Sequence, residues 1–299
     1  LRVGEREQVI FPAGQMAEAD VRTAIEAALK RTSTGFLKVV GLWTPPAVPT
    51  QDMFGQVQQP LSDWQYLRSS LSDEYEVRGI DLGTGHVPDD VDVLVVVAPQ
   101  GMSDLERYAV DQYLMRGGPL IVAAGNYAIT TDPFAGGLAL RTLDGGLRDL
   151  LASYGIHVRD ALVLDPHNEP FPVIITRAVG GMQVQEVRAI AYPFFVDVRR
   201  DAMDAGSPIV ANLPAVTLNW VSPITVEQGL EGRQVTVLLQ SSPDSWLQSD
   251  TNIQPDFDLY PELGFPVARE HQSYPLAVLV QGSFASAFKG KPVPTSEEP

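Results

Sequence analysis

The chain has 299 residues, 44% of them hydrophobic, enough to bury one large α/β core or two ordinary ones. Its formal net charge of −16 repels nucleic-acid phosphates and anionic lipid head groups, which argues against both as direct partners. The absence of cysteine excludes disulfides, thiol catalysis and thiolate metal sites together.

Ala17 to Lys30 reads as an amphipathic helix, because Val21, Ala24, Ile25, Ala28 and Leu29 recur at helical spacing on one face. A polar turn leads into the apolar run Leu37 to Trp43, which is too short for a helix and suits a buried strand. Thr44 to Pro60 follows as a long loop rich in Pro and Gln. Ser62 with Gln65 has the spacing of a capping box and starts a helix to Leu71. Tyr75 to Leu82 is the next expected strand, and Gly83-Thr84-Gly85 a turn. Asp92 to Ala98 is the strongest buried-strand signal in the chain. Ser103 with Glu106 opens another capped helix, which Gly117-Gly118 closes. Pro119 to Ala124 reads as a strand, and Gly145 to Tyr154 as a helix ending at Gly155.

Apolar strands alternating with capped helices predict an α/β fold. Its expected core is a mainly parallel, doubly wound sheet of flavodoxin-like or amidotransferase-like type. From Ala161 the texture changes. Ala161 to Leu164, Val173 to Arg177, Ile209 to Trp220, Gln234 to Gln240 and Leu276 to Gln281 read as strands, with little helical periodicity between them. The expected organisation is a helical lead-in over 1–35, an α/β sheet domain over 36–160, and a β-rich C-terminal extension over 161–299 completing the same domain.

Several segments resemble, in order, the gliding-motility auxiliary family that accompanies ABC transporters. They are Asp20 to Ile25 through Leu37 to Val40, Tyr75 to Arg78 leading to Val87 to Val96, and Ala98-Pro99 followed by Leu105 to Gly118. Val235 to Leu239 and Ala277 to Gly282 close the match. The resemblance implies an outward-facing domain on the extracytoplasmic side of a bacterial membrane, held by terminal spans. It also implies ABC permease and ATPase subunits as partners, and an amidotransferase-like sheet without the enzyme's residues. No run in this sequence approaches the roughly 20 apolar residues of a span. The N-terminus carries no basic-then-apolar signal pattern. Abrupt polar ends are what a domain lying between membrane anchors leads one to expect.

No Walker A loop is present, so ATP hydrolysis is expected of a separate subunit. Gly83-Thr84-Gly85-His86-Val87-Pro88 begins like a dinucleotide loop but has Pro where the third Gly belongs. No Gly-x-Ser-x-Gly elbow replaces the missing cysteine nucleophile. The four histidines (His86, His157, His167 and His271) have no motif neighbour. His157, Asp160, Asp165 and His167 are ligand-capable types, but an intervening strand separates them, and loop positions are favoured over a zinc site. Asp244, Asp250, Asp256 and Asp258 form an acidic loop that lacks EF-hand spacing and is read as solvated rather than calcium-binding. Trp246, Phe257 and Tyr260 read either as a sugar- or peptide-binding surface or as pins for that loop.

The expectation is a binding module with no catalytic activity, cofactor or metal. The alternative is a degenerate amidotransferase-like hydrolase or carbohydrate-processing domain. Open α/β sheets bind ligands at the carboxyl ends of their strands. That places the expected ligand surface, for a small molecule or glycan, at Trp43, Thr44, Pro99, Gln100, Gly101, Met102, Gly125, Asn126 and Tyr127, with Pro45 to Pro60 as a lid.

Overall fold

The structure is a computed structural model. It describes residues 2–3, 6–7, 37–47, 50–51, 57–58, 62–131, 138–143, 145–179, 182–229 and 231–295, with the backbone alone at 2–3, 6–7, 50–51, 57–58, 131, 173–179 and 182–185. The expected helix Ala17 to Lys30 and much of the proline loop lie outside the described residues. The chain divides into two compact units, one formed by 1–123 with 288–299 and the other by 124–287. This partition differs from the expected boundaries at 35 and 160.

The first unit is built on four parallel strands: β1 (Val39–Trp43), β2 (Glu76–Gly79), β3 (Val93–Val97) and β4 (Leu120–Ala123). They lie in the order β2-β1-β3-β4. Helices α1 (Gln65–Ser72) and α2 (Asp104–Met115) connect β1 to β2 and β3 to β4. β1 and β3 are β-branched and leucine runs, as central parallel strands buried on both faces require, and Leu94 and Val96 are fully buried. Gly41 is needed where it stands. A Cβ there would lie 2.9 Å from both Ile80 and Val91, so only glycine lets these side chains close over β1. At the amino ends of the strands, Lys38 and Asp92 pair at 2.7 Å while Asp92 accepts the Val39 N–H at 2.8 Å. The ammonium and the amide hold the Asp92 carboxyl below the ordinary carboxylate range.

Helix α2 has both expected caps. The Ser103 side chain accepts the Glu106 N–H at 3.2 Å while the Glu106 carboxylate accepts the Ser103 N–H at 2.8 Å. At the other end the Gly118 N–H donates to Tyr113 O and the Gly117 N–H to Leu114 O, with Gly117 at φ 85°. This is the paired bonding of a Schellman close. Helix α1 departs from expectation. Ser62 caps nothing: α1 starts at Gln65 behind Trp64 in a left-handed conformation, and the Ser62 and Asp63 side chains instead accept the N–H groups two residues on. A Ser or Asp side chain that can reach a local turn competes with helix capping, and here the turn wins. The second strand is also shorter than expected, because Asp81 accepts the Gly83 N–H and turns the chain into a 3₁₀ segment at Leu82–Thr84.

The second unit is a set of two-stranded antiparallel ladders. In chain order the elements are β5 (Tyr127–Thr131), β6 (Leu138–Thr142), helix α3 (Arg148–Ser153), β7 (Ile156–Val158), β8 (Leu162–Leu164), β9 (Phe171–Val179), β10 (Met182–Ile190), β11 (Phe195–Arg199), β12 (Ala215–Asn219), β13 (Ile224–Val226), β14 (Arg233–Gln240), β15 (Trp246–Gln248) and β16 (Pro275–Gly282). The pairs are β5 with β6, β7 with β13, β8 with β15, β9 with β10, β11 with β12, and β14 with β16. None of the described strands after Ala161 is hydrogen-bonded into the parallel sheet. Of these six pairs, three (β5–β6, β9–β10 and β11–β12) join strands consecutive in the chain, and short connections allow antiparallel pairing.

Strand β8 divides the core of this unit. Leu162 and Leu164 pack with Tyr192, Phe194, Trp246, Ile253 and Phe265, whereas Val163 packs with Val196, Val198, Leu238, Leu239 and Leu276. Alternate side chains of a strand point to opposite faces, so three buried residues serve two clusters. The first cluster is aromatic, with Tyr192 edge-on to Phe195 at 5.0 Å and to Phe265 at 5.6 Å.

Candidate functional site

In the first unit, the strand order reverses direction between β1 and β3, and ligands of open α/β sheets sit outside the carboxyl ends at such a point. Trp43 is the register partner of Val96, so Trp43-Thr44 and the segment from Ala98 to Met102 leave the sheet side by side. Ala98 donates its N–H to Ala123 O at 2.8 Å and adopts φ 47°, a left-handed conformation that costs an alanine about 1 kcal/mol. The sheet bond holds this residue where the chain turns toward α2. Trp43, Pro99 and Met102 are buried, Thr44 and Gln100 are half-buried, and Gly101 is exposed with open space beside its Cα.

The start of α2 follows these strand ends, and its chemistry does not suit an anion. The Glu106 carboxylate takes the Ser103 N–H, Ser103 takes the Glu106 N–H, and the first turn carries two carboxylates, Asp104 and Glu106. A phosphate would meet used donors and negative charge.

Of the nine expected ligand residues, Trp43, Thr44, Pro99, Gln100, Gly101 and Met102 fall in the first unit and Gly125, Asn126 and Tyr127 in the second. Asn126 is a buried brace: its side-chain amide donates to Val158 O at 3.3 Å and Arg159 O at 2.7 Å, and its backbone carbonyl accepts the Leu143 N–H at 2.8 Å. These bonds tie the β5–β6 hairpin to the end of β7. Tyr127 opens that hairpin opposite Thr142, and burial together with the charge of Asp160 pushes its hydroxyl pKa up.

Sequence reading overlooked a cleft of about 290 Å³ in the second unit, lined by Arg148, Asp149, Ala152, His157, Val158, Arg159 and Asp160. Arg148 pairs with Asp160, and His157 Nε2 lies 3.0 Å from Glu227 Oε1 across the β7–β13 ladder. The only signal in the sequence was the clustering of His157 and Asp160.

The four-residue set His157, Asp160, Asp165 and His167 does not converge. Asp165 is 1% exposed and accepts the His167 N–H at 2.9 Å, the Ser242 N–H at 2.7 Å and the Ser242 hydroxyl at 2.7 Å. Its carboxylate anchors the loop after β14. Among the described residues no group of three His, Asp or Glu side chains is arranged to hold a metal ion. In the acidic loop, Asp250 accepts from Gln248 and from the Asn252 N–H, and Asp256 accepts the Asp258 and Leu259 N–H groups, so both carboxylates shape turns. Trp246 is buried with its indole N–H on Pro266 O, whereas Phe257 is 42% exposed. Among the described residues no helix is long and apolar enough to cross a membrane.

The chain has no significant match among curated proteins or solved structures. A family model described as an ABC-type uncharacterized transport system matches residues 38–299, a stretch that takes in the parallel sheet and the whole second unit. That span covers most of the chain, which therefore belongs to this family of auxiliary components of ABC-type transport systems.

Proposed function

We propose that the chain is a non-catalytic binding and assembly domain on the extracytoplasmic face of a bacterial membrane, working beside the permease and ATPase of an ABC transport system. The observation that carries this reading is the family match over 38–299. The strand order β2-β1-β3-β4, with α1 and α2 in the outer crossovers, supports a doubly wound, flavodoxin-like or amidotransferase-like sheet. At the carboxyl ends of β1 and β3, exposed Gly101 and half-buried Thr44 and Gln100 stand with buried Trp43, Pro99 and Met102, beside a self-capped helix. Such a surface suits docking of an uncharged group. Membrane anchoring through terminal spans and a role in gliding motility complete the proposal.

The test is co-purification. The full-length protein, tagged in its own cells and extracted in mild detergent, should bring down a permease or an ATPase subunit. Recovery from the cytosol with no transporter subunit attached would overturn the proposal. Hydrolytic turnover by the purified chain that disappears with one substitution would overturn its non-catalytic part.

A further inference from the structure

The β9–β10 hairpin is an arm of two nine-residue strands that, among the described residues, pair with each other and with no further strand, in unbroken register from Phe171–Ile190 to Val179–Met182. Its root is fastened. Phe171 packs on Tyr192 at 4.9 Å and on Phe195 at 5.4 Å, and the Tyr192 N–H donates to Asn168 Oδ1 at 2.7 Å. Among the described residues, no strand pairs with the outer edge of β10. Two-stranded ribbons are marginal in water, and a long, flat edge rich in β-branched residues invites another strand. Along β10, Glu186, Val187, Arg188 and Ala189 are all exposed, Val187 at 69%.

The order of charges on that edge selects the occupant. Consider an antiparallel pairing of β10 with β10 of a second copy, with the twofold axis at Val187. Residues equidistant from the axis face each other. Glu186 then meets Arg188 of the other copy, and Arg188 meets its Glu186, so one symmetric register forms two opposite-charge pairs. Gln185 meets Ala189, and Val184 meets Ile190, with no like charges opposed. Ile174 is the register partner of Val187 within the arm. The axis therefore aligns Ile174, Val187, Val187 and Ile174 in one row across four strands. The two arm roots lie six residues apart along the ladder, about 20 Å. That is more than twice the screening length of about 8 Å at physiological salt, so the net charge of −16 on each copy does not forbid the approach.

We propose that the outer edge of β10 is a homodimer interface, with a continuous four-stranded antiparallel ribbon held by reciprocal Glu186–Arg188 pairs about Val187. The inference is independent of the transport role. Sedimentation equilibrium over a concentration series tests it on the purified chain. The parent should dimerise, and R188E and E186R should each raise the dimer dissociation constant about tenfold by opposing like charges at two symmetric positions. An equimolar mixture of R188E with E186R should regain the parent affinity, because the heterodimer restores both attractive pairs. Neither a folding defect nor a change within one arm predicts recovery on mixing. A chain that stays monomeric throughout the series, including one whose arm is instead cross-linked to a transporter subunit, would overturn the proposal. So would a dimer indifferent to both reversals, or a mixture that fails to recover.

Discussion

Replacing Asp165 with alanine removes a buried acceptor that ties the end of β8 to the loop after β14. The carboxylate is 1% exposed and takes three donors, the Ser242 N–H, the Ser242 hydroxyl and the His167 N–H, at 2.7, 2.7 and 2.9 Å. A hydrogen bond to a charged acceptor contributes about 1.5–3 kcal/mol net, and an orphaned buried donor costs about 1–3 kcal/mol. The ionised carboxylate also pays for its own desolvation, which offsets part of this. Ser242 is half-buried, so water can reach one of its donors after the substitution. The expected loss for Asp165→Ala is about 3 kcal/mol. Asp165→Asn keeps one acceptor oxygen but turns an amide N–H₂ toward a donor, for an expected loss of about 2 kcal/mol. Ser242→Ala removes the hydroxyl's bond to Asp165 and its long acceptance of the Asp244 N–H at 3.3 Å, and should cost about 1.5 kcal/mol. The double variant Asp165→Ala with Ser242→Ala should fall short of the sum by about 1 kcal/mol, since both remove the same bond. Urea unfolding followed by fluorescence reads this directly, with Trp220 and Trp246 as reporters in the second unit. An Asp165→Ala loss below about 1 kcal/mol, or strict additivity in the cycle, would refute the reasoning.

Two further predictions concern other parts of the chain. Gly118→Ala should be destabilising by about 1–3 kcal/mol, because the new Cβ would lie 2.4 Å from the Tyr113 ring, whose hydroxyl is held by Val91 O. Gly117→Ala meets open space and pays only for φ 85°, about 1 kcal/mol, so thermal melts that rank the two the other way would contradict the packing argument. The Tyr192 hydroxyl donates to Ile253 O at 2.8 Å, and burial pushes its pKa from 10.0 up to about 12, against a small lowering by the Trp220 N–H. The unfolded chain therefore ionises this tyrosine first. Its contribution to stability is complete below pH 10 and is lost as the pH rises to about 12, a slope that Tyr192→Phe should lessen in unfolding measured across that range.

Features that depend on residues a few positions apart were legible in the sequence. The Ser103–Glu106 box, the glycine close of α2 and the buried run of β3 each declare themselves within about one turn or one strand, and each formed where expected. Ser62 marks the limit of such reading, since an identical spacing yielded to a competing local turn. Tertiary structure alone decided what Asp165 does, because its partner Ser242 stands 77 positions away. The same holds for β8. Its Leu-Val-Leu run reads as one buried strand, but which faces it serves depends on strands brought in from 195–199, 233–240 and 246–248. Sequence shows that a residue must be buried or bonded, since that follows from its own chemistry. Its partner is set by chain closure, whose free energy depends only weakly on the length of the intervening loop and leaves no local mark.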